Sequence, residues 1–121
     1  MDELGWTEEG KALQLWRARE AISHISLHSG IPDMDNELPD GIYRRVQIDF
    51  REPREGEIRS ERKVVLSVPE GSTPTHAGFW NAPFGGVMLA RGKLSRSRTF
   101  KGDGTVEITL AALDLNGGEA G

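Results

Sequence analysis

The sequence predicts a mainly β fold, a β-sandwich or small barrel of about six to eight strands with one N-terminal α-helix. Three observations predict it. Apolar residues fall at helical spacing only near the start of the chain. From residue 24 onward they alternate with polar ones, and clusters of Gly, Pro, Asn and Asp interrupt the alternation at short intervals. No later stretch has the period of a crossover helix, which argues against a βαβ arrangement.

The helix is expected from about Thr7 to Glu20. Thr7 is placed to cap it, Glu8 and Glu9 suit the positive end of its dipole, and Ala12, Leu13 and Trp16 form an apolar stripe with Trp16 as core anchor. Gly10 weakens it by about 1 kcal/mol. The period then becomes two. Ile25 and Leu27 alternate with His24, Ser26 and His28, which reads as a strand with its polar side exposed or facing a subunit. Ile42, Val46, Ile48 and Phe50 share a face opposite Tyr43, Arg45, Gln47 and Asp49. Val64, Leu66 and Val68 share another, as do Val87 and Leu89, and then Val106, Ile108 and Leu110. The stretches IPDMDNELPDG, REPREGE, PEGSTP, NAPFGG and KGDG supply the turns. One domain over residues 1–116 follows, with 117–121 as a flexible tail and no internal repeat.

A chain of 121 residues with 36% hydrophobic and 28% charged side chains can bury one core. Its net charge of -4 speaks against bulk binding of nucleic acid or anionic lipid. The absence of cysteine excludes disulfides, thiolate catalysis and zinc–cysteine sites. The start, MDELGWTEEGK, lacks the pattern of a secretory signal and no segment reaches membrane-spanning length, so the expectation is a soluble protein made in a cytoplasm.

Candidate chemistry is sparse. His24 and His28 have the HxxxH spacing of metal-binding helices. On a helix they would stack about 5 to 6 Å apart, but on a strand they are about 13 Å apart. Zinc–imidazole bonds of about 2.0 to 2.1 Å cannot bridge that gap. Asp33, Asp35 and Glu37 resemble the first half of a calcium loop, yet Leu38 stands where its glycine and Arg44 where its last acidic ligand belong. No nucleophile elbow or phosphate loop is present, and Gly85-Gly86 and Gly117-Gly118 read as turns. No catalytic residue, metal ligand or cofactor site is therefore assigned. The densest charge is in RGKLSRSRTFK, where Arg96 and Arg98 would lie on one face with Leu94 and Phe100, in reach of carboxylates on a neighbouring protein.

The segment VPEGSTPTHAGFWNAPFGGVMLARGKLSRSRTF, with the earlier SLHSG and ELPDGIYRRVQI and the closing LDL, resembles small tailed-bacteriophage virion structural proteins of the minor tail, tail-fibre-like or decoration group. The ordered set of short motifs carries the resemblance over about residues 5 to 115. It departs at Asp40-Gly41-Ile42-Tyr43, where a more glycine-rich approach to the tyrosine is expected. The resemblance implies a non-enzymatic β-sandwich component of the virion, made in the host cytoplasm, with capsid or tail subunits as partners, a homo-oligomeric state, and neither membrane nor nucleic acid as ligand. Phe79, Trp80 and Phe84, three aromatics around one turn, are the expected partner-binding anchors together with Arg96 and Arg98; the alternative for Phe79 and Trp80, which point oppositely on a strand, is that at least one fills the sandwich. A carbohydrate- or receptor-binding β domain is the alternative.

Overall fold

The computed structural model describes residues 5–30, 36–115 and 117–121, so the acidic-loop residues Asp33 and Asp35 lie outside the described residues. Among the described residues one helix, α1 (Glu8–Ala21), precedes nine strands: β1 (His24–His28), β2 (Val46–Gln47), β3 (Ile58–Arg59), β4 (Val64–Val68), β5 (His76–Trp80), β6 (Met88–Leu94), β7 (Gly104–Ile108), β8 (Ala111–Asp114) and β9 (Gly117–Ala120). The mainly β class with a single N-terminal helix is as the alternation predicts.

Thr7 caps α1, its hydroxyl accepting from the Gly10 N–H at 3.0 Å. The helix turns a different stripe inward from the one expected. Leu15 is buried, Ala18 packs beside it and Ile22 follows, at spacings of three and four. Leu13 and Trp16 remain exposed. Trp16 lies one helical step from that stripe, and the Arg19 guanidinium covers its ring at 5.2 Å. Arg19 also donates from Nε to the Phe50 carbonyl at 2.8 Å, tying the helix to the segment between β2 and β3.

Seven strands form one sheet in the order β2-β1-β5-β6-β9-β8-β3, and β4 pairs with β7 in a second, two-stranded sheet. The neighbours are antiparallel except β6 and β9, which run parallel. No barrel closure is formed among the described residues, since the large sheet ends in β2 on one side and β3 on the other. The two sheets share a single core. Val64, Leu66, Val68 and Ile108 of the small sheet join Ile25, Leu27, Ala77 and Phe79 of the large one, with Phe50 tilted against Phe79 at 6.0 Å. That inner face follows the predicted alternation of β1 and β4.

Four expectations fail for identifiable reasons. In the segment before β2 the inward residue is Tyr43, while Ile42 is exposed, because the tyrosine hydroxyl has buried partners described below. Val87 and Leu89 face outward, because the inward positions of β6 are Ala90, Gly92 and Leu94, one residue out of step with the expected face. Leu110 is exposed after the end of β7. Residues 117–120, read as a flexible tail, instead fill the interval between β6 and β8, so their backbone groups are held in two ladders.

Leu66→Ala is expected to lower unfolding free energy by roughly 2–5 kcal/mol, whereas Leu13→Ala changes it by less than about 0.5 kcal/mol. Urea denaturation of the two variants beside the wild type checks the assignment of the core.

Candidate functional site: a polar interior beneath an exposed turn

β1 is covered on both faces. The apolar side of Ile25 and Leu27 meets the core, and the polar side that sequence reasoning left exposed is also enclosed, with Ser26 and His28 both fully buried. Antiparallel pairing with β5 sets Ser26 opposite Gly78, His28 opposite His76 and His24 opposite Trp80. A Cβ on residue 78 would stand 2.6 Å from Ser26 Oγ and 3.0 Å from both His28 Nε2 and Trp80 Nε1. Glycine there leaves room for the three polar side chains to meet.

Their hydrogen bonds run in one direction. Trp80 Nε1–H can only donate, and it does so to Ser26 Oγ at 2.7 Å. The Ser26 hydroxyl proton then goes to His28 Nε2 at 2.6 Å, and His28 Nδ1–H donates to Asn36 Oδ1 at 2.9 Å. The His28 ring lies nearly parallel to Trp80, at 8° and 6.4 Å between centroids. Serine, histidine and amide in series have the order of a proton relay. Ser26 Oγ is enclosed, however, and neither main groove among the described residues is lined by Ser26 or His28. In this position the series satisfies buried donors and acceptors.

Beside it lies a charged group. Arg45 forms a two-point pair with Glu37, Nε to Oε2 and NH2 to Oε1, both at 2.9 Å. Tyr43 donates its hydroxyl proton to Glu37 Oε2 at 2.7 Å and accepts from the Leu27 N–H at 3.0 Å. The Arg45 guanidinium carbon sits 3.6 Å from the centre of the Trp80 ring. Its NH1 group donates to the carbonyls of Ala82 at 3.1 Å and Gly85 at 2.8 Å. One cation thus joins the segment before β2, the β5 tryptophan and the turn between β5 and β6. Gly85 and Gly86 shape that turn with φ of 57° and 74°, and Asn81 Oδ1 accepts from the Val87 N–H across it at 2.8 Å.

Burial alone would raise the Glu37 carboxyl, but hydrogen bonds from Arg45 and Tyr43 and the Arg45 charge outweigh it and hold its pKa below the ordinary value. Burial, then the hydrogen bond to Glu37, pushes the Tyr43 phenol well above its ordinary value. Burial and then the nearby Arg45 charge lower the His24 imidazole.

The five residues expected to bind a partner therefore occupy three environments. Phe79 is in the core and Trp80 is sealed beneath Arg45, so neither can reach a partner from the folded chain. Phe84 is 71% exposed on the clamped turn. Arg96 and Arg98 are exposed on the irregular segment after β6, with the Arg98 guanidinium 4.4 Å from the Phe100 ring centre. β6 separates Phe84 from the arginines, which are not brought together with it. Glu37, Tyr43 and Arg45 were missed as a unit. The only sequence signal was an aromatic residue and an arginine sharing the supposedly solvated face of one segment. The histidine pair does lie on a strand, and among the described residues no group of three His, Asp or Glu is arranged to hold a metal ion.

The fold and its interior define a mainly β protein whose polar groups are turned inward to hold its turns in place. The chain belongs to the family described as podophage GP4 fiber I protein gp80, matched over residues 18–116. It is thus a member of a phage fibre protein family, in line with the resemblance read from its motifs. No curated protein matches it. No helix among the described residues is long and apolar enough to cross a membrane.

The lowered pKa values set the acid limb of stability. His24 favours its neutral form and Glu37 its charged form in the fold, so on acidification the unfolded chain takes up each proton first. Unfolding free energy is expected to be highest at neutral pH, to fall below the ordinary imidazole value of 6.5 and to fall again below the ordinary carboxyl value of 4.5. Glu37→Gln should remove the second step and lower stability at pH 7 by roughly 1–3 kcal/mol. Urea titrations across pH 3–8 check both steps.

Proposed function

We propose that the chain is a non-enzymatic structural subunit of a tailed-phage fibre, joined to other virion proteins on the tail side of the particle and repeated as a homo-oligomer. The observation that carries this reading is the fibre-family match over residues 18–116. The interior supports it: Ser26, His28, Glu37 and Arg45 are engaged in cohesion, and the exposed groups are left for contact. Contact falls to Phe84 on its clamped turn and to Arg96 and Arg98 beyond β6. Attachment as a minor tail protein fits the fibre family more closely than capsid decoration.

A receptor- or carbohydrate-binding role is the second reading, favoured by Phe84 alone, since a flat ring on a rigid turn suits stacking on a sugar face. A glycan array probed with the wild type and Phe84→Ala separates the two: signal lost in the variant would favour the second reading.

Mass spectrometry of purified particles is expected to detect the chain at a stoichiometric multiple, and particle reconstruction to place it on the tail. Phe84→Ala is expected to reduce incorporation without lowering the melting temperature. Absence from particles that carry their full set of other tail proteins would overturn the proposal.

A further inference from the structure

β9 lies between β6 and β8, parallel to the first and antiparallel to the second. Two further contacts carry those ladders past the strand. Ser95 N–H donates to the Ala120 carbonyl at 2.9 Å, and Leu110 and Gly121 exchange N–H···O bonds at 2.9 and 3.0 Å. Ala120 and Gly121 also line a groove of about 810 Å³. Residues 95–98 form one wall, and β7 with the residue after it forms the other.

The β7 wall presents residues 105–109 in unbroken succession. Successive side chains of a strand point to opposite faces, so a groove lined by consecutive residues meets the strand's edge rather than a face. β7 pairs only with β4, so the edge turned to the groove has no ladder partner among the described residues. A strand in this space would pair with that edge of β7.

Charge selects the occupant. Arg96 and Arg98 line the facing wall, both exposed, and neither forms an ion pair among the described residues, whereas Glu107 on the β7 wall is paired with Lys63 at 3.3 Å. Arg98 is held in place: its ring contact with Phe100 is 4.4 Å, and its NH2 group stands 3.9 Å from where a Cβ on residue 104 would be, at the start of β7. The two arginines stand two residues apart on this wall, so carboxylates at alternate positions of an extended partner segment complement them.

We propose that this groove receives an extended segment of a neighbouring virion protein, with acidic residues at alternate positions, as a strand added to the free edge of β7. The proposal gives the partner chemistry for the structural role proposed above and rests on it.

The test uses the full chain and a blocked peptide of alternating Glu and Val, about nine residues long. Calorimetric titration is expected to show binding, and amide exchange at residues 104–108 is expected to slow roughly tenfold. Arg96→Glu with Arg98→Glu should weaken binding at least about tenfold. Arg96→Gln, which keeps the Arg98–Phe100 contact, should weaken it roughly threefold. The same peptide with Lys for Glu, or with alternate backbone nitrogens methylated, should not bind. The proposal is overturned by no binding, by equal binding of the methylated peptide, or by an oligothymidylate binding as tightly through the same arginines. These results are read on the isolated chain, so they stand apart from whether particles contain it.

Discussion

Arg45 is a cation with little exposure, and a cation so placed needs partners on every side. Glu37 meets it at two points, Trp80 offers a ring face, and two carbonyls of the turn between β5 and β6 accept from its NH1 group. Glu37 lies eight residues from Arg45, while Trp80, Ala82 and Gly85 belong to one later stretch, so the full set of contacts forms only when the two stretches are brought together. The charge therefore specifies the arrangement of segments that have few apolar side chains of their own. Tyr43 extends the same logic, since its hydroxyl joins Glu37 to the backbone of β1 where β2 no longer pairs with it.

From this follows the division of labour between the two faces of β1. The inner face contributes to the shared apolar core, which supplies most of the stabilisation. The other face, with Ser26, His28 and the backbone at Gly78, forms a polar layer in which each donor has a defined acceptor. A layer of that kind adds little net stability per bond, but each misplacement leaves a buried group unsatisfied. The turn bearing Phe84 is held by this layer, which makes an exposed aromatic a fixed feature of the surface.

Much of the fold was legible where one rule acted alone. The Thr7 cap marked the helix start, and strict alternation marked β1 and β4 with their inner faces. Legibility failed where burial was decided by tertiary partners. Ser26 and His28 carry the pattern of a solvated strand face, and nothing local tells that Trp80, some fifty residues later, will cover them. Tyr43 faces inward against the apolar alternation because its hydroxyl finds Glu37 and Leu27. The helix stripe was misplaced by a single step because Trp16 is the largest apolar residue there, yet its ring finds a partner in Arg19 on the surface. Of the expected contact residues, Phe84, Arg96 and Arg98 are accessible, while the two aromatics on β5 were claimed by the interior.

The claim on which this account depends is that Glu37 and Arg45 act as one unit in holding the polar layer. A double-mutant cycle in urea at pH 7, combining Glu37→Gln and Arg45→Met, measures it directly. The account predicts a coupling of at least about 1 kcal/mol, because either single change leaves the other charge without its partner. A coupling below about 0.3 kcal/mol, with the two single losses simply adding, would contradict it.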